Sequence, residues 1–331
     1  MHSGAAMSIR IAVVGAGHHG QHHARILSAL PAVELVAVVD ANPARAQEIA
    51  RLTGAQPFCD AAAVLDRVDA VTIATPTAVH SQVALPFLRA GIAVLIEKPI
   101  ARSVAEADAM IEAARTTGAT LAVGHSERFN PALAAVRPAV AEPRFLEVHR
   151  LGTFPQRSLD IDVIYDLMIH DLDVVLSLVK SPVVSIEAVG VAVLTGRFDI
   201  ANARLRFADG CIANLTASRI SRDRVRKLRL FQRAAYISID FAAQTAQHWR
   251  LVKDAAGAVP AIQGETVDVV SEEPLKRELI DFTTAVACRR APLVTGEDGR
   301  RALTLADEIS ARITVDDHAD ALVMPEEYSH Q

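Results

Sequence analysis

Cysteine is scarce in this chain, and its placing excludes two architectures. Cys59, Cys211 and Cys288 are odd in number, far apart and without a CxxC pair. The sequence therefore encodes neither a disulfide framework nor a zinc ribbon, and a reducing compartment is expected. Long apolar runs are missing too. No stretch reaches the roughly 18 to 20 uncharged residues needed to cross a bilayer, and Met1 to Ser8 lacks the basic and apolar pattern of a secretory signal. The expectation is a soluble, cytoplasmic protein with no membrane partner. Positive charge is not in excess: 34 Lys and Arg stand against 39 Asp and Glu, a net charge of −5, which argues against a nucleic-acid partner. Internal repeats, low-complexity tracts and long linkers are absent. Met7 is a second candidate start, and the six residues before it carry no pattern that assigns them a role.

What is present begins with length. The 331 residues exceed what one hydrophobic core usually supports, and a composition 51% hydrophobic and 22% charged supplies material for two. The chain is organised around Arg10 to Gly20. Ile9 and Ile11 to Val14 form the near-continuous apolar run of a parallel strand buried on both faces. Three glycines follow. Gly15 allows a sharp turn, Gly17 lets backbone approach a pyrophosphate, and Gly20 lets the next helix, which begins near His18 and His19, lie close on its strand. The ligand rests on that helix's unpaired N–H groups. A second apolar strand, Glu34 to Asp40, ends in a carboxylate twenty residues beyond Gly20. An acid there accepts from the adenosine ribose hydroxyls and repels a 2′-phosphate, so the expected cofactor is NAD. Arg45 is the one nearby cation that favours NADP.

To about Gly124 strands and helices alternate: a helix over Pro43 to Leu52, a strand over Asp69 to Ala74, a helix over Val79 to Ala90, a strand over Ile92 to Ile96. Ser103 with Glu106 is a capping-box pair opening a helix to about Thr116, and Thr120 to Val123 is one more strand. This predicts a doubly wound parallel α/β domain over 1–125, with ligands at the carboxyl ends of its strands. After His125 the pattern becomes longer and alternating, with an Asp209-Gly210 hairpin signal. An α+β domain over 126–331, built on a large, mainly antiparallel open sheet, is expected. Two helices close the chain, near Pro274 to Arg289 and Glu297 to Ile313, and the last packs back on the first domain. An open sheet needs its free face covered, which homodimer or homotetramer formation accomplishes.

Two places carry candidate chemistry. Lys98, just past a buried strand, lies where the nicotinamide end of a dinucleotide belongs, and its ammonium can hold a substrate oxygen; equally, it can be a surface lysine paired with Glu97. Ile164 to Val179 is apolar nearly all round, yet Asp166, His170, Asp173 and Ser177 step by four, three and four onto one stripe. A histidine oriented by carboxylates is a general base near neutral pH. The same stripe also fits a satisfied core histidine, or a metal site of the HD phosphohydrolase kind. His18, His19, His22 and His23 form two i, i+4 pairs that call for a metal check, but a metal there competes with the cofactor for one helix end, so none is expected. The basic run Arg219 to Arg229 fits a solvated face, a phosphate contact or a subunit interface alike.

The opening fold, Ala74-Thr75-Pro76 with His80, the Glu97-Lys98-Pro99 turn and the Asp166, His170, Asp173 helix together resemble the Gfo/Idh/MocA family of sugar and inositol oxidoreductases, over essentially the whole chain. The resemblance implies NAD(P) binding, involving Thr75, Pro76, His80 and Glu97 besides the glycine turn, and hydride transfer at a sugar carbinol. It implies Lys98 and His170 as catalytic residues, with Asp166 beside them. The glycine-rich approach to this helix in many members is replaced here by Leu159 to Tyr165. A narrower likeness, in Val123 to Pro131, Leu167 to Asp173 and Arg226 to Asp240, is to the branch that oxidises the 3-hydroxyl of UDP-N-acetylglucosamine and supplies an aminotransferase for lipid A type synthesis. That likeness implies Arg128 and Asn130 near cofactor and substrate, and Arg157 at the diphosphate. The contrary reading is a dinucleotide-binding regulator that kept the fold and lost the chemistry.

Overall fold

The structure, a computed structural model, describes residues 8–154, 161–252 and 261–313. The chain forms two units. One runs to Pro131 and takes back Val270–Thr304; the other holds Ala132–Val269 and continues from Leu305.

The first unit is wound on a parallel sheet. In chain order it contains β1 (Ile9–Val14), α1 (His18–Leu27), β2 (Val33–Val39), α2 (Pro43–Thr53), β3 (Gln56–Phe58), β4 (Ala70–Ile73), α3 (His80–Arg89), β5 (Ala93–Glu97), α4 (Val104–Thr117) and β6 (Leu121–Gly124). The sheet order is β3-β2-β1-β4-β5-β6, all parallel. The order reverses between β1 and β4, and the crevice at such a switch point is where doubly wound sheets bind ligands. Ile11, Val13, Val71, Ile73, Val94 and Ile96 are fully buried, each contributing about 1.5–3 kcal/mol relative to exposure. Asn42 caps α2 by accepting from Ala44 N and Arg45 N ahead of Pro43. Ser103 caps α4 as its spacing predicts, accepting from Glu106 N; the returning Glu106 carboxylate, however, accepts from Arg102 N rather than from Ser103.

A short helix, α5 (Pro131–Val136), precedes the second sheet: β7 (Pro143–Leu151), then α6 (Ile169–Leu178), β8 (Val183–Val191), β9 (Ile200–Phe207), β10 (Ile212–Ser218), β11 (Val225–Gln232), β12 (Ala235–Asp240), β13 (Thr245–Val252) and β14 (Ala261–Val267). The order is β14-β13-β12-β11-β7-β10-β9-β8, antiparallel except for the β7–β10 pair. Alternation puts Ala203, Leu205 and Phe207 of β9 inside with Leu146 and Val148 of β7. Gly210, at φ +84°, makes the β9–β10 hairpin that Asp209-Gly210 signals. The chain closes with α7 (Pro274–Cys288) and α8 (Gly296–Arg312). A Cβ at Gly299 would lie 2.7 Å from Val123 Cγ2, so this glycine admits the close approach of α8 to β6.

Two strands escape the sequence patterns. β3 has three residues, one a proline, and β14 is exposed along nearly its whole length, so neither shows an apolar period.

Candidate functional site

The glycine turn lies at the switch point. Gly15 has φ +94°, and a Cβ on it would sit 2.6 Å from Ala74 O; a Cβ on Gly20 would sit 1.6 Å from Gly15 O. Both positions therefore exclude side chains, one by conformation and contact, the other by contact alone. At Gly17 a Cβ would meet nothing within 4 Å, leaving open space over the α1 N-terminus. Next to it is a cleft of about 740 Å³ lined by Gly15, Gly17, His18, His19, Asp40, Asn42, Arg45, Cys59, Thr75 and Pro76. Asp40 Oδ2 accepts from Ala16 N at 2.7 Å and Oδ1 from Asn42 N at 2.8 Å, so the carboxylate that closes β2 also holds the turn. Thr75 Oγ1 is buried without a hydrogen-bond partner among the described residues. The open turn and the unanswered hydroxyl fit a dinucleotide, whose polar groups supply what the protein leaves unpaired.

Beside this cleft, β5 ends in the Lys98 loop. Glu97 Oε1 is 3.0 Å from Nε2 of His23, which is fully buried on α1, while Oε2 accepts from Lys98 N at 3.3 Å. Burial alone would raise this carboxyl, but the hydrogen bond and charge of His23, followed by the charges of His19 and Lys98, outweigh it and hold its pKa at about 2. Gly124 makes room: a Cβ there would come within 3.1 Å of Glu97 Oε2. The Lys98–Pro99 bond is cis. His80 is 1% exposed, with Nδ1 2.9 Å from Pro99 O and Nε2 2.9 Å from O of Thr75, a residue that lines the cleft. Burial lowers its pKa, and the two carbonyls partly offset that. A neutral ring has one N–H, so His80 donates to one of these two backbone oxygens while lying against both.

In the second unit the polar stripe forms, but not as one regular helix. Ile164–Met168 is a π-helical turn that runs into α6, a local widening common at functional sites. Tyr165 N and Asp166 N both donate to Asp162 O, and Asp162 Oδ1 accepts from Phe198 N, which anchors the turn. Tyr165 OH donates to Asp307 Oδ1 at 2.8 Å, and burial together with that carboxylate raises its pKa and keeps the phenol protonated. Asp166 and His170 are half-buried, whereas Asp173 and Ser177 are buried, Ser177 Oγ donating to Val174 O. The accessible end of the stripe is the Asp166–His170 end.

Arg128 and Asn130, expected near cofactor and substrate, are 6% and 1% exposed. Arg128, on the one-turn helix Ser126–Phe129, donates to Leu293 O, and Asn130, its C-cap, donates to Glu127 Oε2. Arg157 lies outside the described residues. The clustered histidines separate: His23 turns inward to Glu97, while His18 stacks edge-to-face on His19 and His22. Among the described residues no cluster of three or more His, Cys, Asp or Glu is arranged to hold a metal ion. The basic run also divides. Arg219 is buried against Asp199 and donates to Ile161 O, Lys227 pairs with Asp240, and Arg229 pairs with Glu147. Two buried pairs were not anticipated, Arg219–Asp199 and Arg150–Asp171. For the second, the signal was present: Arg150 shares the inward face of Leu146 and Val148, and a cation there requires an acid.

Fold and turn define an NAD-binding Rossmann oxidoreductase. The chain belongs to the GFO/IDH/MocA family: the oxidoreductase family's NAD-binding Rossmann fold matches residues 9–125, and the GFO/IDH/MocA C-terminal domain matches 141–238. The chain is 40% identical to UDP-N-acetylglucosamine 3-dehydrogenase of Acidithiobacillus ferrooxidans over 92% of this chain and 97% of that protein. A solved structure of that enzyme matches with TM-score 0.88 at 39% identity, covering 93% of this chain and 98% of the other. Inositol 2-dehydrogenase of Rhizobium meliloti is 33% identical over 64% of this chain and 69% of its own. Levoglucosan dehydrogenase, solved with NADH and levoglucosan, shares the fold at TM-score 0.83 and 19% identity, covering 92% of this chain and 97% of that one.

Proposed function

We propose that this protein oxidises the 3-hydroxyl of UDP-N-acetylglucosamine to a ketone with NAD. The observation that carries the reading is the 40% identity to a UDP-N-acetylglucosamine 3-dehydrogenase along nearly the full length of both chains. In this reading Gly15, Gly17 and Gly20 seat the pyrophosphate at the α1 N-terminus, with His18, His19, Thr75 and Pro76 lining the cleft, and Asp40 faces the adenosine ribose, where a 2′-phosphate is repelled. Bound NAD supplies the hydride acceptor. Lys98 donates a hydrogen bond to the reacting hydroxyl oxygen and steadies the negative charge that grows on it. His170 takes the hydroxyl proton, and Asp166 favours the protonated ring.

A ketone on a sugar nucleotide is what an aminotransferase consumes, and removal of the product draws the oxidation forward; a downstream aminotransferase is therefore the proposed partner, and lipid A type synthesis the proposed use. We further propose that a second copy covers the open sheet. Phe145, Phe231, Tyr236 and Trp249 oppose one another in register across four strands of one face, with Phe231 39% and Trp249 40% exposed. No helix among the described residues is long and apolar enough to cross a membrane, in keeping with the proposed cytoplasmic setting.

The substrate reading is tested by NADH formation with UDP-N-acetylglucosamine against free myo-inositol and glucose. Turnover confined to the UDP-sugar is expected. Turnover of the free polyols with none of the UDP-sugar overturns the substrate and leaves the family chemistry intact.

A further inference from the structure

Lys98 stands between two buried histidines from two different helices. Before it, His23 of α1 reaches Glu97, whose other oxygen accepts from Lys98's own backbone N–H. After it, His80 at the start of α3 spans Pro99 O and Thr75 O. Neither contact involves the lysine's ammonium. Both act on the backbone that carries it, and that is where control is needed, because a four-carbon stem keeps its head in place only if its Cα is fixed.

We infer that His23 and His80 are positioning residues for Lys98, a bracket that fixes the backbone on either side of the lysine. The inference rests on the reading of Lys98 as the group that holds the reacting oxygen. Three features support it. Glu97 is kept ionised, so its hydrogen bonds to His23, at 3.0 Å, and to Lys98 N are charge-assisted. The ring nitrogen that faces the carboxylate is Nε2, and against an ionised oxygen it is the one that carries a proton. And the space for the carboxylate is reserved by Gly124, where any side chain would press on Glu97. The anchors come from the elements that shape the cofactor cleft: α1 follows the glycine turn, and Thr75 lines the cleft. One scaffold thus sets both the cofactor bed and the lysine.

The test is a double-mutant cycle with UDP-N-acetylglucosamine and NAD. His23→Ala and His80→Ala are each expected to lower kcat by about 10- to 100-fold, the cost of displacing a catalytic group by roughly 1 Å. In a Lys98→Met background the same substitutions are expected to cost less than about threefold, since the group they position is already gone. His23→Gln, which offers an amide N–H to Glu97, is expected to recover most of the lost kcat, and it carries the cycle should either alanine variant fail to fold. Histidine substitutions that cost as much without Lys98 as with it overturn the bracket alone; Lys98→Met at the wild-type rate overturns the role of Lys98 and the bracket with it. Hydrogen exchange of residues 97–101 reads the bracket without any substrate. Faster exchange in both histidine variants is expected, and unchanged exchange overturns the bracket whatever the enzyme oxidises.

Discussion

Replacement of His170 by alanine is expected to lower kcat by about 10²- to 10⁴-fold, the range for loss of a positioned general base, while NAD binding stays within about twofold of wild type. The two effects separate because the residues assigned to the cofactor lie in the first unit and His170 in the second. On the stripe through Asp166, His170, Asp173 and Ser177, burial leaves only Asp166 and His170 accessible; Asp173 and Ser177 are 2% and 3% exposed. A core histidine is expected at the closed end of such a stripe, and this one is at the open end. Steady-state kinetics with a fluorescence titration of NAD decide it, and wild-type turnover in His170→Ala removes this histidine from the chemistry.

The second large effect is on stability. Arg150 of β7 and Asp171 of α6 form a two-pronged ion pair, Nε to Oδ2 and one terminal nitrogen to Oδ1, both at 2.8 Å, with the side chains 5% and 3% exposed. The pair locks onto the sheet the helix that presents His170. Arg150→Met leaves Asp171 as a buried charge without its counter-ion, and the second unit is expected to lose about 3–5 kcal/mol. Arg150→Met combined with Asp171→Leu removes both charges and is expected to recover a large part of that loss, because a buried pair pays its own desolvation. Urea unfolding followed by the fluorescence of Trp249, the single tryptophan and a β13 residue of the second unit, measures it. A single variant as stable as wild type contradicts the role assigned to the pair.

Both predictions turn on features unequally visible in sequence. The first unit was legible because its strands are buried on both faces and its turn depends on glycine. An apolar run followed by Gly15, Gly17 and Gly20 has few structural solutions, and the parallel sheet in the order β3-β2-β1-β4-β5-β6 is the one found. The second sheet was legible wherever one face is buried, as in β9, and not in β14, where no face is. The proposed reactive groups, Lys98 and His170, stand out in the sequence by residue type and position, their surroundings less so. The sequence places Glu97 next to Lys98, but not the histidine 74 residues earlier that reaches that carboxylate as well. For His80 the sequence does not show the two carbonyls its ring lies against, 5 and 19 residues away. For Arg128 and Asn130 the sequence does not show the partners they find, Leu293 O and Glu127. In each case what sequence does not carry is which long-range partner satisfies a polar group.

The account centres on hydride leaving C3 of a sugar nucleotide. Its most direct test is mass spectrometry of the reduced cofactor after turnover of UDP-N-acetylglucosamine deuterated at C3. The account predicts that the deuterium appears in NADH and is absent from the sugar product. Turnover that leaves the label on the sugar contradicts it.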